Sequence, residues 1–212
     1  MISPYDPQVA RRRVDRVLAD RYLLADGDEP SRARRPEQLI VEEPLQIRVD
    51  DQLLATTMRT PGHDFELAAG WCVTEGLVDP ARAQSVAGIR YCATGSATET
   101  GFNTVSVTTT SGRTPHPARL QTISSSCGVC GVDSIESLVE RLAPLPATDV
   151  DAIGLATDAR SIEPIQKLFA ATGGSHAAAA IADGVVVEVR EDIGRHNAVD
   201  KVIGRLLLDG RL

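Results

Sequence analysis

The sequence predicts a mixed α/β (α+β) fold in two subdomains, and three observations carry that expectation. Short runs with alternating apolar residues sit between stretches with helical spacing, strong turn dipeptides separate them, and the two patterns interleave along the chain. The 212 residues are 42% apolar and 24% charged, enough for one sizeable core or two small ones. The expected division is a leader over residues 1–36, a first subdomain over 37–146, and the start of a second α/β subdomain over 147–212.

The first 36 residues are crowded with arginine (Arg11, Arg12, Arg13, Arg16, Arg21, Arg32, Arg34, Arg35), interspersed acids and two bounding prolines, Pro30 and Pro36. They read as a solvated, disordered basic leader and linker; the alternative is a docking arm for an acidic partner. "LIVEEPLQIRVD" alternates as a strand, Asp50-Asp51 turns the chain, and "LLATTMRT" forms the next strand. In "TPGHDFELAAGWCVTEG", Pro61-Gly62 marks a turn, then Phe65, Ala68, Ala69 and Cys72 recur at helical spacing until Gly76. "VAGIRYCA", "TVSVTTT" and "LQTISSS" read as strands. A helix with a capping box at Asp133 and Glu136 follows, then a linker, "PLPATD". A further helix is expected near Ile162–Thr172, ended by Gly173-Gly174. "SHAAAAIA" and "VVVEVRE" flank Asp183-Gly184 as a hairpin. The last segment, "DIGRHNAVDKVIGRLLLDG", reads as a helix with Val199, Val202, Ile203 and Leu206 on one face.

The chemistry concentrates in "SSSCGVCG", where Cys127 and Cys130 stand just before a helix. Unpaired amides and the dipole at a helix start favour the thiolate, the reactive form. Redox exchange, sulfur transfer, half a zinc site and a coincidental spacing all remain open at this point. Cys72 and Cys92 read as structural residues. Zinc would need His63, with Glu66 as proton shuttle, but the nucleobase deaminase signature is H-x-E followed by P-C-x-x-C. Here "HDFE" is one residue too long and "SCGVC" lacks the proline. A thioredoxin-like site would normally carry an aromatic and a proline, and neither is present. Two other glycine-rich junctions gather ionisable residues: Gly174, Ser175 and His176, and Arg195, His196 and Asn197. Amides at a helix N-terminus beside Arg195 suit an anion such as phosphate. The plainer reading keeps His63, His176 and His196 as structural residues, Asp192 and Asn197 as caps, and Asp200 and Lys201 as a solvated face.

Together "EEPLQIRV", "TPGHDFELAAGWCVTEG", "SSSCGVCG", "GGSHAAA" and "EDIGRHNAVDKVIG", in that order, closely resemble the formate dehydrogenase accessory sulfurtransferase family, also called its sulfur carrier proteins. The resemblance runs from about Pro36 to Gly210, and the first 35 residues carry no matching motif. It implies that sulfur from a cysteine desulfurase is accepted as a persulfide on Cys127, with Cys130 assisting or resolving it. The sulfur then passes to the molybdenum of the bis(molybdopterin guanine dinucleotide) cofactor, bound as a substrate, before the cofactor enters formate dehydrogenase. No permanently bound metal is expected. Gly174, Ser175, His176, Arg195, His196 and Asn197 are the candidates for the cofactor surface. The resemblance also implies a homodimer and a cytidine deaminase-like second subdomain. Family members continue several dozen residues beyond the "GRHNAVDK" helix, so that subdomain is expected to be incomplete here.

A net charge of −7 argues against nucleic-acid binding by bulk electrostatics. No membrane span and no secretory h-region is evident, so the cytoplasm, where thiols stay reduced, is the expected compartment. Two alternatives stand beside the sulfur carrier: a zinc-dependent deaminase-like hydrolase using His63, Glu66, Cys127 and Cys130, and a non-catalytic chaperone for the molybdenum cofactor.

Overall fold

The computed structural model describes residues 12–23, 31–81, 85–91, 102–110, 121–123 and 151–212. Strands β1 (Val14–Leu23) and β2 (Ser31–Ile40) pair antiparallel along their whole length, from Val14 opposite Ile40 to Leu23 opposite Ser31. Residues 14–23 and 31–36 of the segment expected to be a disordered leader lie in this ribbon. The charges that suggested disorder are spread along both strands, where cross-strand pairs organise them. Arg32, for example, reaches Asp20 at 2.6 Å and lies over the ring of Tyr22.

Strands β3 (Glu43–Val49) and β4 (Gln52–Arg59) form the expected hairpin, but the strand expected from Leu39 is divided, with Val41 and Glu42 separating β2 from β3. Asp50 and Asp51 both adopt positive φ, the conformation a two-residue hairpin turn requires. The Asp50 carboxylate accepts bonds from the Thr109 amide and hydroxyl, which ties this turn to β6 (Thr104–Thr109). With β5 (Val86–Tyr91) and β7 (Gln121–Ile123), the strands make a five-stranded sheet of order β5-β6-β3-β4-β7. The β3/β4 and β5/β6 pairs are antiparallel, whereas β6 and β7 run parallel to β3 and β4. Leu45, Ile47, Val49, Val105 and Val107 project from alternate positions into one core. Helix α1 (Asp64–Thr74) covers them with Leu67, Ala68 and Cys72.

The second half holds α2 (Ala152–Ser161), a 3₁₀ turn over Glu163–Ile165, and α3 (Lys167–Thr172). The single helix expected near Ile162–Thr172 is thus interrupted. Pro164 lacks an amide and restricts its predecessor, so the chain restarts at Lys167. Gly173, left-handed at φ 66°, ends α3 as expected. Strands β8 (His176–Ala182) and β9 (Val185–Asp192) form the expected hairpin, with Asp183 and Gly184 both at positive φ. The expected helix after Cys130 and the "PLPATD" boundary lie outside the described residues.

Helix α4 (Arg195–Leu208) packs on α1 with their backbones in near contact. A Cβ on Gly70 would come within 1.9 Å of the Asp200 carbonyl oxygen. A Cβ on Gly204 would come within 1.8 Å of that of Glu66. The face of α4 that this crossing buries includes only part of the apolar stripe expected from sequence: Val202 is interior, Ile203 and Leu206 are half-buried. Asn197, Ala198, Asp200, Lys201, Val202 and Gly204 are buried, while Val199 stays 46% exposed. Close helix approach selects small residues at the crossing, so polar residues and Val202 share the buried face.

Gly204→Ala or Gly70→Ala forces two backbones apart and is expected to cost about 3 kcal/mol or more in chemical denaturation. Gly88→Ala, whose Cβ would meet nothing within 4 Å, is expected to change stability by less than about 1 kcal/mol.

Candidate functional site

Strand β4 ends at Arg59, and the chain turns through Thr60, Pro61, Gly62 and His63 into α1. This corner meets the end of β9 and the start of α4 around one carboxylate, that of Asp192. Its Oδ2 accepts from Lys201 Nζ at 2.6 Å and the Thr60 amide at 3.1 Å. Its Oδ1 accepts from the Gly194 amide at 2.8 Å and Asn197 Nδ2 at 3.1 Å. Lys201 donates a second bond to the Thr60 carbonyl, and the Thr60 hydroxyl accepts from the Ile193 amide. Both Asp192 and Lys201 are fully buried. Burial pushes the lysine pKa down, and the Asp192 charge opposes that shift. The expected solvated face at Asp200 and Lys201 is therefore part of the interior, since the helix dips its polar residues toward a carboxylate that needs donors.

Glu191 organises the neighbouring junction. Its carboxylate accepts from the amides of Leu168 and Phe169 at the start of α3, and from the Ser175 hydroxyl at 3.0 Å. His176 pairs with Asp192 across the hairpin, so the two glycine-rich junctions stand side by side. Among the candidate cofactor residues, Gly174, His176, Arg195 and His196 are exposed there. Ser175 is buried on Glu191. Asn197 is buried too, with its amide donating to Met58 O and its oxygen accepting from Thr57 Oγ1. Those two side chains hold the surface together from beneath. Cys127 and Cys130 lie outside the described residues.

A second charged cluster stands at the start of α1. Arg190 clamps both oxygens of Glu66, at 2.5 Å and 2.9 Å, and His63 Nδ1 approaches Glu66 Oε2 at 3.1 Å. Glu188 and Arg205 extend the network. Burial works to raise the Glu66 pKa, but the bonds from Arg190 and His63 outweigh it and hold the group at about 2. A carboxylate so fixed in its ionised form is poorly suited to the proton shuttling that the zinc hydrolase alternative assigns it. Cys72 sits in the core, where burial pushes its thiol up to about 12, so it is an inert packing residue.

Sequence reasoning missed Arg59 and Asp64, whose bidentate pair at 2.9 Å and 2.8 Å is fully buried at the corner between β4 and α1. An arginine and an aspartate flanking a Thr-Pro-Gly turn were the available signal. Glu191 and Arg190 were missed as well, because the segments they bridge are far away in sequence.

The family model described as "FdhD/NarQ family" matches residues 40–212. A sulfur carrier protein FdhD of Mycolicibacterium paratuberculosis is 44% identical over 212 residues, covering 96% of this chain and 73% of that protein. The protein of the same name from Corynebacterium efficiens is 43% identical, covering 84% and 67%. A crystal structure described as a formate dehydrogenase accessory protein from Desulfotalea psychrophila matches with a TM-score of 0.61 at 22% identity. It covers 92% of this chain and 69% of the other.

Lys201→Met leaves Asp192 buried without its counter-charge, and a loss of about 3–5 kcal/mol is expected in denaturant titration. Asp200 gives a pH signature. Burial raises its pKa to about 7, Glu75 adds to the rise, and the Thr74 hydroxyl at 3.0 Å opposes it. Its contribution to stability is fully present below the ordinary value of 3.8 and is lost as pH rises to about 7. Asp200→Asn should remove that slope and exceed the native chain in stability at pH 8, as denaturation midpoints at several pH values will register.

Proposed function

The chain belongs to the FdhD/NarQ family, and from that premise we propose that it is a sulfur carrier acting in formate dehydrogenase maturation. The observation that carries the proposal is the likeness to sulfur carrier proteins along nearly the whole chain, including the stretch that contains the C-x-x-C pair. In this reading the chain is a sulfurtransferase whose Cys127 thiolate attacks the outer sulfur of a persulfide on a cysteine desulfurase. One S–S bond forms as another breaks, and the donor cysteine leaves as a thiolate, so no net oxidation occurs. Cys130 assists or resolves the loaded persulfide.

The substrate that receives the sulfur is the bis(molybdopterin guanine dinucleotide) molybdenum cofactor. Its phosphates call for amides and cations, and the exposed junctions bearing Gly174, His176, Arg195 and His196 offer both. Ser175 and Asn197 support those junctions through Glu191 and Asp192. The same reading includes a homodimer, a cytidine deaminase-like second subdomain and a cytoplasmic location. Among the described residues no helix is long and apolar enough to cross a membrane.

Incubation with a cysteine desulfurase and cysteine, followed by mass spectrometry, tests the proposal. The peptide containing Cys127 and Cys130 is expected to gain one sulfur, and Cys127→Ala to abolish that gain. A chain that instead holds about one tightly bound zinc and takes up no sulfur is the zinc hydrolase alternative. Arg195→Ala is expected to load sulfur normally and to bind the guanine dinucleotide cofactor more weakly; unchanged transfer to the cofactor would refute the proposed cofactor surface.

A further inference from the structure

The β1–β2 ribbon lies almost wholly before residue 40, where the family match begins. Among the described residues it joins no other strand, and a two-stranded ribbon by itself is only marginally stable in water. Its two edges differ. Pro36 lies within β2 and has no amide to donate, so it occupies a position whose amide side faces away from β1. The outer edge of β2 is blunted there, and β2 also packs against α3. Strand β1 contains no proline, and its outer edge is open.

The register fixes what that edge presents. The Val41 amide donates to the Arg13 carbonyl at 2.9 Å, continuing the ladder in which Val14 faces Ile40. Odd-numbered residues of β1 therefore bond to β2, while Val14, Arg16, Leu18, Asp20 and Tyr22 turn their amides and carbonyls outward. Leu18 opposite Pro36 fits the same pattern. Leu18 and Tyr22 are 59% and 60% exposed.

The sequence of β1, VDRVLADRYL, is complementary to itself when read antiparallel about Leu18. Arg16 then stands opposite the partner's Asp20, Asp15 opposite the partner's Arg21, and Val14 opposite the partner's Tyr22. Val17 meets the partner's Ala19, and Leu18 meets itself. Every charge faces its opposite and every apolar residue an apolar one. The residues with outward amides also fall opposite one another, as a hydrogen-bonded ladder requires. Slipping the strands by two residues sets Arg16 opposite Leu18 or Tyr22, and Asp20 opposite Val14 or Leu18, and the match is lost.

From this self-complementarity we propose that two copies of the chain join edge to edge through β1, about a two-fold axis at Leu18, as a continuous four-stranded sheet of order β2-β1-β1-β2. The inference deepens the homodimer of the reading above, on which it rests, by naming its interface. Asp20 already takes Arg32 at 2.6 Å and Asp15 takes Arg12 at 3.6 Å, but a carboxylate has acceptor capacity for a second guanidinium. Arg32, Arg34 and Arg35 lie on β2, hence on the outer strands, away from the axis.

Sedimentation equilibrium of the full chain over a concentration series tests the interface. Arg21→Asp and Asp15→Arg each set like charges together twice across the axis, and each is expected to weaken association about tenfold or more. Carrying both substitutions restores opposite charges and is expected to restore the native association. Leu18→Cys is expected to form an intermolecular disulfide on mild oxidation, identified by mass spectrometry of the linked peptide, because residues paired in this way have Cα atoms about 5.5 Å apart. Tyr22→Cys, whose two copies would stand about 27 Å apart along the strands, is expected to form none. If a single variant does not fold, the Leu18→Cys cross-link decides alone. A chain that dimerises but keeps its association in both single variants, or gives no Leu18→Cys cross-link, overturns the β1 interface and leaves the homodimer standing. A native chain that stays monomeric throughout overturns the homodimer reading itself, whatever the variants do.

Discussion

The buried Asp192 carboxylate is the contact on which the rest of this structure depends. An ionised carboxylate and an ammonium without water are unfavourable partners unless the remaining hydrogen-bonding capacity is filled. Asp192 fills it with four donors: Lys201, Asn197 and the amides of Thr60 and Gly194. Those donors come from the corner after β4, from the turn after β9 and from the first two turns of α4. One side chain thus joins the five-stranded sheet to the β8–β9 hairpin and sets the direction in which α4 leaves. Glu191, its neighbour, does the same for α3 and Ser175 on the adjoining side. Adjacent residues on a strand point to opposite faces, so two consecutive acids can organise two different junctions.

The direction imposed on α4 has a steric consequence. The helix is drawn onto α1 so closely that only glycine fits at Gly70 and Gly204. The polar face that satisfies Asp192 must then be the buried face, and Asp200 is carried into the interior as well, with Thr74 as its hydrogen-bond partner. The same approach sets Arg205 beside Glu66 and Glu188, which completes the charged cluster around His63. Helix packing and the charged cluster are therefore coupled through backbone contact, not merely located near each other.

Local features were legible in the sequence wherever a short-range rule acts alone. Asp50-Asp51 and Asp183-Gly184 marked hairpin turns because few residues accept two successive positive φ values. The helix from Asp64 and the end of α3 at Gly173 followed from spacing and from glycine at a helix end. The errors share a cause. The basic segment before Ile40 looked disordered because its strands need each other, not a core, to become ordered. Val199 looked buried and Lys201 looked solvated because periodicity weighs hydrophobicity, whereas this helix is positioned by an ion pair and by two glycines. Arg59 with Asp64, and Arg190 with Glu66, bring partners together through a turn or across more than a hundred residues, where no spacing rule applies.

By itself the sequence determined the mixed α/β class, the hairpin turns, the family membership and the dithiol segment, because each is encoded in residues close together or in motifs taken in order. Only the tertiary structure decided which polar residues become interior, since burial depends on the donors and acceptors that distant segments bring. It alone converted "TPGHDFE", "GGSH" and "EDIGRHNAVDK" from three polar junctions into one corner held by Asp192 and Glu191. It also brought together His63, Glu66 and Arg190, which meet only when β9 and α4 close over α1.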